Sequence, residues 1–243
     1  MTINEPDNLF DSSQAPVRPF RFDADVARVF PDMVRRSVPG YAELVELSGL
    51  IARRIARPET CCYDLGCSLG AVTEAILHQT DSGVRVIAVD NSPAMIAGLG
   101  ARLAERTDGE RVTAVCADVE TVPITDAALA VLNLTLQFIA PERRLDLLER
   151  IHAGLVQDGV LILAEKIQAP DDRGGHLLTA LHEDFKRAQG YSDLAISRKR
   201  AALEQVLVPD RIEIHEQRLT AAGFTGFTRW YQSLNFVAWI AWN

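Results

Sequence analysis

Positive charge is in short supply in this chain. Lysine and arginine number 25 against 33 aspartates and glutamates, giving a net charge of −8 over 243 residues. That balance argues against a broad nucleic-acid or anionic-membrane surface, while leaving room for a small basic pocket. Long apolar runs are missing too. No stretch reaches the roughly 20 residues that span a bilayer, so no membrane partner is expected. Residues 1–20 are polar and broken by prolines. They lack the basic and apolar regions of a secretory signal, so a cytoplasmic location is expected, and this segment is expected to be flexible. Cysteine is scarce and poorly spaced for metal: Cys61, Cys62, Cys67 and Cys116 include no C-x-x-C pair, and no metal site is expected. Adjacent Cys61 and Cys62 would face opposite sides of a strand as reduced, partly buried thiols. The five histidines are scattered, and His176 and His182, six apart, do not share one ligand face.

What the chain does have is apolar material, 48% of it, enough for a full core. Residues 21–243 read as a single domain. Helical spacing runs over 22–30, is interrupted at Pro31, and resumes briefly over 33–36. The turn Ser37-Val38-Pro39-Gly40-Tyr41 precedes another helix over 42–56. From residue 60 strands and helices alternate: strands over 60–65, 84–90, 111–117, 128–134 and 160–165, helices over 70–80, 93–105 and 141–155. Continuous apolar strands alternating with amphipathic helices predict an α/β fold with a mostly parallel sheet covered on both faces. The alternation stops at a helical insertion over about 174–222, after which two strands close the chain. The N-terminal helices are expected to cover the open carboxyl edge of the sheet.

The stretch Thr60-Cys61-Cys62-Tyr63-Asp64-Leu65-Gly66-Cys67-Ser68-Leu69-Gly70 organises the rest. It reads strand, tight turn, helix. Glycine permits close approach of a ligand, and the following helix start offers free N–H groups. Three readings compete. The first is an ordinary glycine turn without a ligand. The second takes Gly66-x-Ser68-x-Gly70 as the nucleophile elbow of an α/β-hydrolase, but no strand is readable before the one entering the turn, and no His-Gly-Gly loop exists. The third is a nucleoside site of the S-adenosylmethionine type, set apart from the dinucleotide fingerprint by Asp64 before the turn and by the missing third glycine. This third reading is preferred. Val86-Ile87-Ala88-Val89-Asp90 then supplies an acid suited to a ribose diol.

In an open parallel sheet, ligands sit beyond the carboxyl ends of the strands. The residues there are Asp64 to Ser68, Asp90-Asn91, Asp118-Val119 and Asn133. Asp90 suits ribose hydroxyls. Asp118 suits the adenine amino group, with the Val119 N–H serving a ring nitrogen and the glycine turn facing the methionine part.

At this point the sequence resembles the carboxy-S-adenosyl-L-methionine synthases, a branch of the class I methyltransferase fold. The resemblance is carried by Val29-Phe30-Pro31-Asp32-Met33, Arg36-Ser37-Val38-Pro39-Gly40-Tyr41, the Gly66-Cys67-Ser68-Leu69-Gly70 turn, Asp90-Asn91-Ser92-Pro93 and Asn133-Leu134-Thr135-Leu136-Gln137-Phe138. Further on it takes in Glu165-Lys166, Asp184-Phe185-Lys186-Arg187, Gly190-Tyr191-Ser192 and Lys199-Arg200. It covers residue 20 onward, and the segment before it is assigned no role. The resemblance implies a Rossmann-like, mostly parallel seven-stranded sheet with helices on both faces. It implies the conversion of S-adenosyl-L-methionine and prephenate to carboxy-S-adenosyl-L-methionine, phenylpyruvate and water, with the product passed to a separate tRNA wobble-uridine enzyme.

By the same likeness Tyr41, Gly66, Cys67, Ser68, Asp90, Asn91, Asp118, Val119 and Asn133 contact the adenosyl ligand. Arg200 is the catalytic candidate, holding the new carboxylate with its planar fork. A homodimer through the insertion is implied, with Arg200 serving its own or a neighbouring subunit. Lys166, and Lys186 with Arg187, are candidates for prephenate's two carboxylates. No direct contact with nucleic acid is expected.

Overall fold

The computed structural model describes residues 5–12, 16–204 and 206–243. Its first helices are α1 (Ala24–Ser37) and α2 (Tyr41–Ile55). Asp23 opens α1 by accepting the Val26 N–H at 3.1 Å, the usual service of an aspartate at a helix start. The break expected at Pro31 is absent, and one helix runs through it. A proline inside a helix removes one backbone bond. Val26 and Val29 before it and Met33 after it are buried on the same face, and this shared burial holds both halves in register.

The alternating unit follows as β1 (Cys61–Leu65), α3 (Ala71–Gln79), β2 (Arg85–Asp90), α4 (Pro93–Ala104), β3 (Val112–Cys116), β4 (Ala127–Asn133), α5 (Arg144–Gly154) and β5 (Leu155–Gln168). Then come α6 (Asp172–Ala188), α7 (Asp193–Leu203), a two-residue β6 (Asp210–Arg211), α8 (Ile212–Ala221), β7 (Gly226–Ser233) and β8 (Phe236–Trp242). The continuous sheet has the order β3-β2-β1-β4-β5-β8-β7, with β6 joined to the end of β5 as an eighth strand. Strands β1 to β5 are parallel, and β8 runs antiparallel between β5 and β7. The seven strands expected are thus the continuous sheet, and the extra pair at Asp210–Arg211 is too short to leave a periodic signal.

Alternate residues of β1 feed two different cores. Cys61, Tyr63 and Leu65 pack with α5, α8 and Trp239, whereas Cys62 packs with α2, α3 and α4. Cys61 and Cys62 therefore do face opposite sides, and Cys67 is buried as well. Of the helices in the expected insertion, α8 joins the layer covering the sheet, with Leu219 buried beside α5. The other two, α6 and α7, lie beside α1 at the carboxyl edge. Among the described residues no helix is long and apolar enough to cross a membrane.

A buried arginine fixes the chain between α7 and α8. Arg144 is fully buried. It donates to Asp210 at 2.5 Å, to the Val208 carbonyl at 2.9 Å and to the Ile139 carbonyl at 2.9 Å. Burial raises the Asp210 pKa, but Arg218 and Arg144 outweigh it and hold the carboxyl below its usual range. Removing one partner of a buried pair strands the other. Arg144→Ala is expected to destabilise the protein by about 3 kcal/mol in urea unfolding, and a loss below about 1 kcal/mol would contradict this account.

Candidate active site

The order of the sheet reverses between β1 and β4, and the turn leaving β1 opens there. Its shape is set by backbone geometry. Gly66 has φ +85°, and a Cβ there would stand 2.2 Å from Thr135 Oγ1. That hydroxyl donates to the Leu65 carbonyl at 2.8 Å, locking the β4 loop onto the turn. Two non-glycine residues also hold positive φ here, Ser68 at 48° and Leu134 at 62°. Strained backbone of this kind persists where the surroundings over-determine it, and it clusters at functional sites.

Both acids at the first two strand ends are fixed by hydrogen bonds. Asp64 is buried and accepts from Thr73 twice, from the hydroxyl at 2.7 Å and the backbone N–H at 3.0 Å. Burial nevertheless pushes its pKa up to about 6, with the Thr73 bonds opposing. Asp90 accepts the Ser68 N–H at 2.9 Å on one oxygen and the Ser92 N–H at 2.8 Å on the other. Each oxygen keeps a further lone pair for a diol. Burial raises the Asp90 pKa too, and these two bonds counter it. Ser92 caps α4 and ties it to the N-terminal segment by donating to the Phe22 carbonyl. At the third strand end Asp118 accepts the Glu120 N–H at 2.9 Å, and Arg150 holds the Val119 carbonyl at 2.9 Å.

All nine residues expected at an adenosyl ligand line one cavity of about 390 Å³. Tyr41, Gly66, Cys67 and Ser68 are there, with Asp90, Asn91, Asp118, Val119 and Asn133. The volume lies in the range of small-molecule sites. Asn133 Oδ1 is buried without a hydrogen-bond partner among the described residues. An unpaired buried acceptor facing a cavity suits a ligand donor.

The opposite end of the cavity is basic. Lys166 from β5, His182 and Lys186 from α6, and Lys199 from α7 all line it. Burial, then the charges of Lys166 and Lys199, pull Lys186 down to about 7. Burial and neighbouring Arg200 lower Lys166, with Glu204 opposing. His182 is driven to about 3, mainly by burial and then by Lys186, so it is neutral and rests on the Ser37 carbonyl at 2.7 Å. Phe22, Phe30, Phe138 and Phe236 supply apolar wall.

The structure corrects the expectation for Arg187 and bears on that for Arg200, which the sequence leaves to its own or a neighbouring subunit. Arg200 does not line the cavity of its own chain; it is exposed and pairs with Glu183. Successive helix residues diverge by about 100°, so with Lys199 turned inward Arg200 faces out. Arg187 is also exposed, bound to Asp193 and Asp184 at 2.7 Å each, which leaves Lys186 alone of that pair in the cavity. Lys199 and His182 carry no sequence signal for a role beyond their place on predicted helices. Nor does Asp7, which is 2% exposed and bonded to Lys199 at 3.1 Å, so that the flexibility expected over residues 1–20 does not hold at Asp7.

The strand order and a ligand cavity at the reversal define a class I methyltransferase fold. A methyltransferase domain model matches residues 63–159. Similar solved structures include a putative O-methyltransferase from Nostoc punctiforme PCC 73102, with TM-score 0.65 and 15% identity over 90% of this chain and 59% of that one. Another is a putative S-adenosyl-L-methionine-dependent methyltransferase from Methanococcus maripaludis, with TM-score 0.60 and 19% identity over 94% and 96%. The chain is 50% identical over 242 residues, 98% of each chain, to the carboxy-S-adenosyl-L-methionine synthase of Ectopseudomonas mendocina (strain ymp). It belongs to the carboxy-S-adenosyl-L-methionine synthase family.

The turn geometry gives a direct test. Gly66→Ala forces a side chain into Thr135 at positive φ, a strain of about 1–3 kcal/mol. It is expected to weaken binding of S-adenosylhomocysteine at least ~10-fold in calorimetry. A Cβ at Gly100 in α4 meets nothing within 4 Å, so Gly100→Ala should bind normally and gain about 0.5–1 kcal/mol of stability. Equal behaviour of the two variants would overturn the role given to the turn.

Proposed function

We propose that the protein converts S-adenosyl-L-methionine and prephenate to carboxy-S-adenosyl-L-methionine, phenylpyruvate and water. The observation that carries this is one cavity joining an adenosyl-type end to a basic end with two uncompensated ammonium groups. Among the described residues neither Lys166 nor Lys186 has a carboxylate within 4.0 Å, whereas Lys199 is paired with Asp7. Two free cations suit a substrate with two carboxylates.

In this reading Asp90 holds the ribose hydroxyls, Asp118 and the Val119 N–H hold adenine, and the glycine turn faces the methionine part. Lys166 and Lys186 hold prephenate. Its decarboxylation with loss of hydroxide releases carbon dioxide beside the sulfonium methyl. The hydroxide takes a methyl proton and leaves as water, and the resulting carbon nucleophile forms a C–C bond with carbon dioxide. The phenylalanine wall supports this by excluding bulk water, which would reprotonate that carbon.

Arg200 fits the family expectation best as a group given to a second copy of the chain. It faces outward on α7, so a homodimer through α6 and α7 would bring its guanidinium to the neighbour's new carboxylate. The product then serves a separate enzyme acting on tRNA wobble uridine in the cytoplasm, and the net charge of −8 agrees with a protein that does not itself grip RNA.

The test is to incubate the protein with S-adenosyl-L-methionine and prephenate, denature it, and weigh the released nucleoside. A species heavier by one carbon dioxide, lost in Arg200→Ala, is expected. Only S-adenosyl-L-methionine or S-adenosylhomocysteine would leave an ordinary methyltransferase or a carrier. A pH series adds to it. Lys186 holds its proton below about pH 7 and sheds it above. A bound dianion favours the protonated form. KM for prephenate should therefore climb by roughly tenfold per pH unit above that point, with KM for S-adenosyl-L-methionine level. A flat prephenate profile would remove Lys186 from the site.

A further inference from the structure

Residues 16–23, just before α1, run along the cavity wall and are stitched at both sides. Phe20 and Phe22 line the cavity wall. The Phe20 N–H donates to the Ala202 carbonyl of α7 at 3.1 Å, and the Phe22 carbonyl accepts from Ser92 of α4. Phe10 stacks on Phe20 with ring centres 6.4 Å apart and packs against Tyr191, Ala195 and Ile196.

In the described stretch 5–12, which also holds Phe10, stands Asp7. Its carboxylate accepts from Lys199 Nζ at 3.1 Å and from the Tyr191 hydroxyl. Its backbone N–H donates to Asp32 at 2.8 Å, and its carbonyl accepts from Arg36 at 3.3 Å. Lys199 spends its two remaining donors on Ser37 at 2.8 Å and Tyr191 at 3.2 Å. An ammonium has three donors, so Lys199 has none left for a substrate. It serves as the anchor of a clasp, and its aliphatic stem serves as wall.

We propose that these two stretches, 5–12 and 16–23, act as a strap that closes the basic end, and that Asp7 is the positioning residue that latches it onto α6 and α7 through Lys199 and Tyr191. This rests on the reaction under Proposed function, which gives the closure a purpose. Carbon dioxide released in the cavity is small and neutral, and no hydrogen bond or ion pair holds it. Only walls retain it until the C–C bond forms. When the latch is loose, decarboxylation continues: prephenate still yields phenylpyruvate, carbon dioxide and hydroxide. Carbon dioxide then escapes, and the methyl group of S-adenosyl-L-methionine keeps or regains its proton.

The experiment compares wild type with Asp7→Asn and Tyr191→Phe, both nearly isosteric. Phenylpyruvate and carboxylated nucleoside are measured in the same reaction, and S-adenosylhomocysteine affinity reports the adenosyl end. Wild type should give the two products one to one. Each variant should give at least ~3-fold more phenylpyruvate than carboxylated nucleoside, with S-adenosylhomocysteine affinity within about twofold of wild type. Trypsin cleavage after exposed Arg21 should speed up at least ~5-fold in the variants, a readout independent of the chemistry. A one-to-one ratio with unchanged cleavage in both variants overturns the latch. So does loss of S-adenosylhomocysteine binding in both, which would make the clasp a support of the whole fold. A wild type that makes no carboxylated nucleoside from prephenate overturns the reaction instead, and the cleavage comparison still decides the latch.

Discussion

Holding ammonium groups together away from water is the constraint that shapes the upper half of this molecule. Lys166, Lys186 and Lys199 converge on one end of a cavity, and each is pulled below the ordinary lysine range first of all by burial. Desolvation and mutual repulsion both oppose such an arrangement. The structure answers it in part. Lys199 receives a buried aspartate, and His182 stays neutral beside Lys186. The remaining imbalance is an unmet preference for anions, which an anionic ligand would relieve. Interactions left incomplete in the free protein are what give a site affinity for a particular charge pattern.

The two ends of the cavity are built by different means. The end at the strand reversal is mostly backbone and short side chains, held by a sheet whose strands set every position. Gly66 at positive φ, the Thr135 hydroxyl on Leu65 and the two bonded oxygens of Asp90 leave little freedom. The basic end is long side chains on helices outside the sheet. Glu165 bridges the two: it accepts the Leu136 and Gln137 N–H groups at 2.8 and 2.9 Å from inside β5. That holds the loop after β4 against the strand carrying Lys166.

This difference decides what was legible in the sequence. Strand ends, glycine turns and caps are local signals, so Gly66, Asp90, Asp118 and Asn133 are legible as cavity residues in the sequence. The basic end depends on which way a helix turns. Lys199 and Arg200 are neighbours in an Arg198-Lys199-Arg200 run, and nothing local says that the first of that pair points in. Asp7 was illegible for a stronger reason: its partner lies 192 residues away. Pro31 misled because the local rule against proline in helices lost to the burial shared by Val26, Val29 and Met33.

The span between Asp7 and Lys199 has a consequence for the order of assembly. The ring that they close takes in most of the chain. Ring size itself adds little cost, about 0.6 kcal/mol for each doubling. Such a contact nonetheless forms only when the intervening chain is already compact, as do all contacts of long sequence separation. On a ribosome, the strap emerges before the sheet, and its anchor on α7 follows 192 residues after Asp7. The floor of the cavity takes shape from neighbouring strands as they appear, while a segment made before them waits for a late helix before it has anywhere to rest.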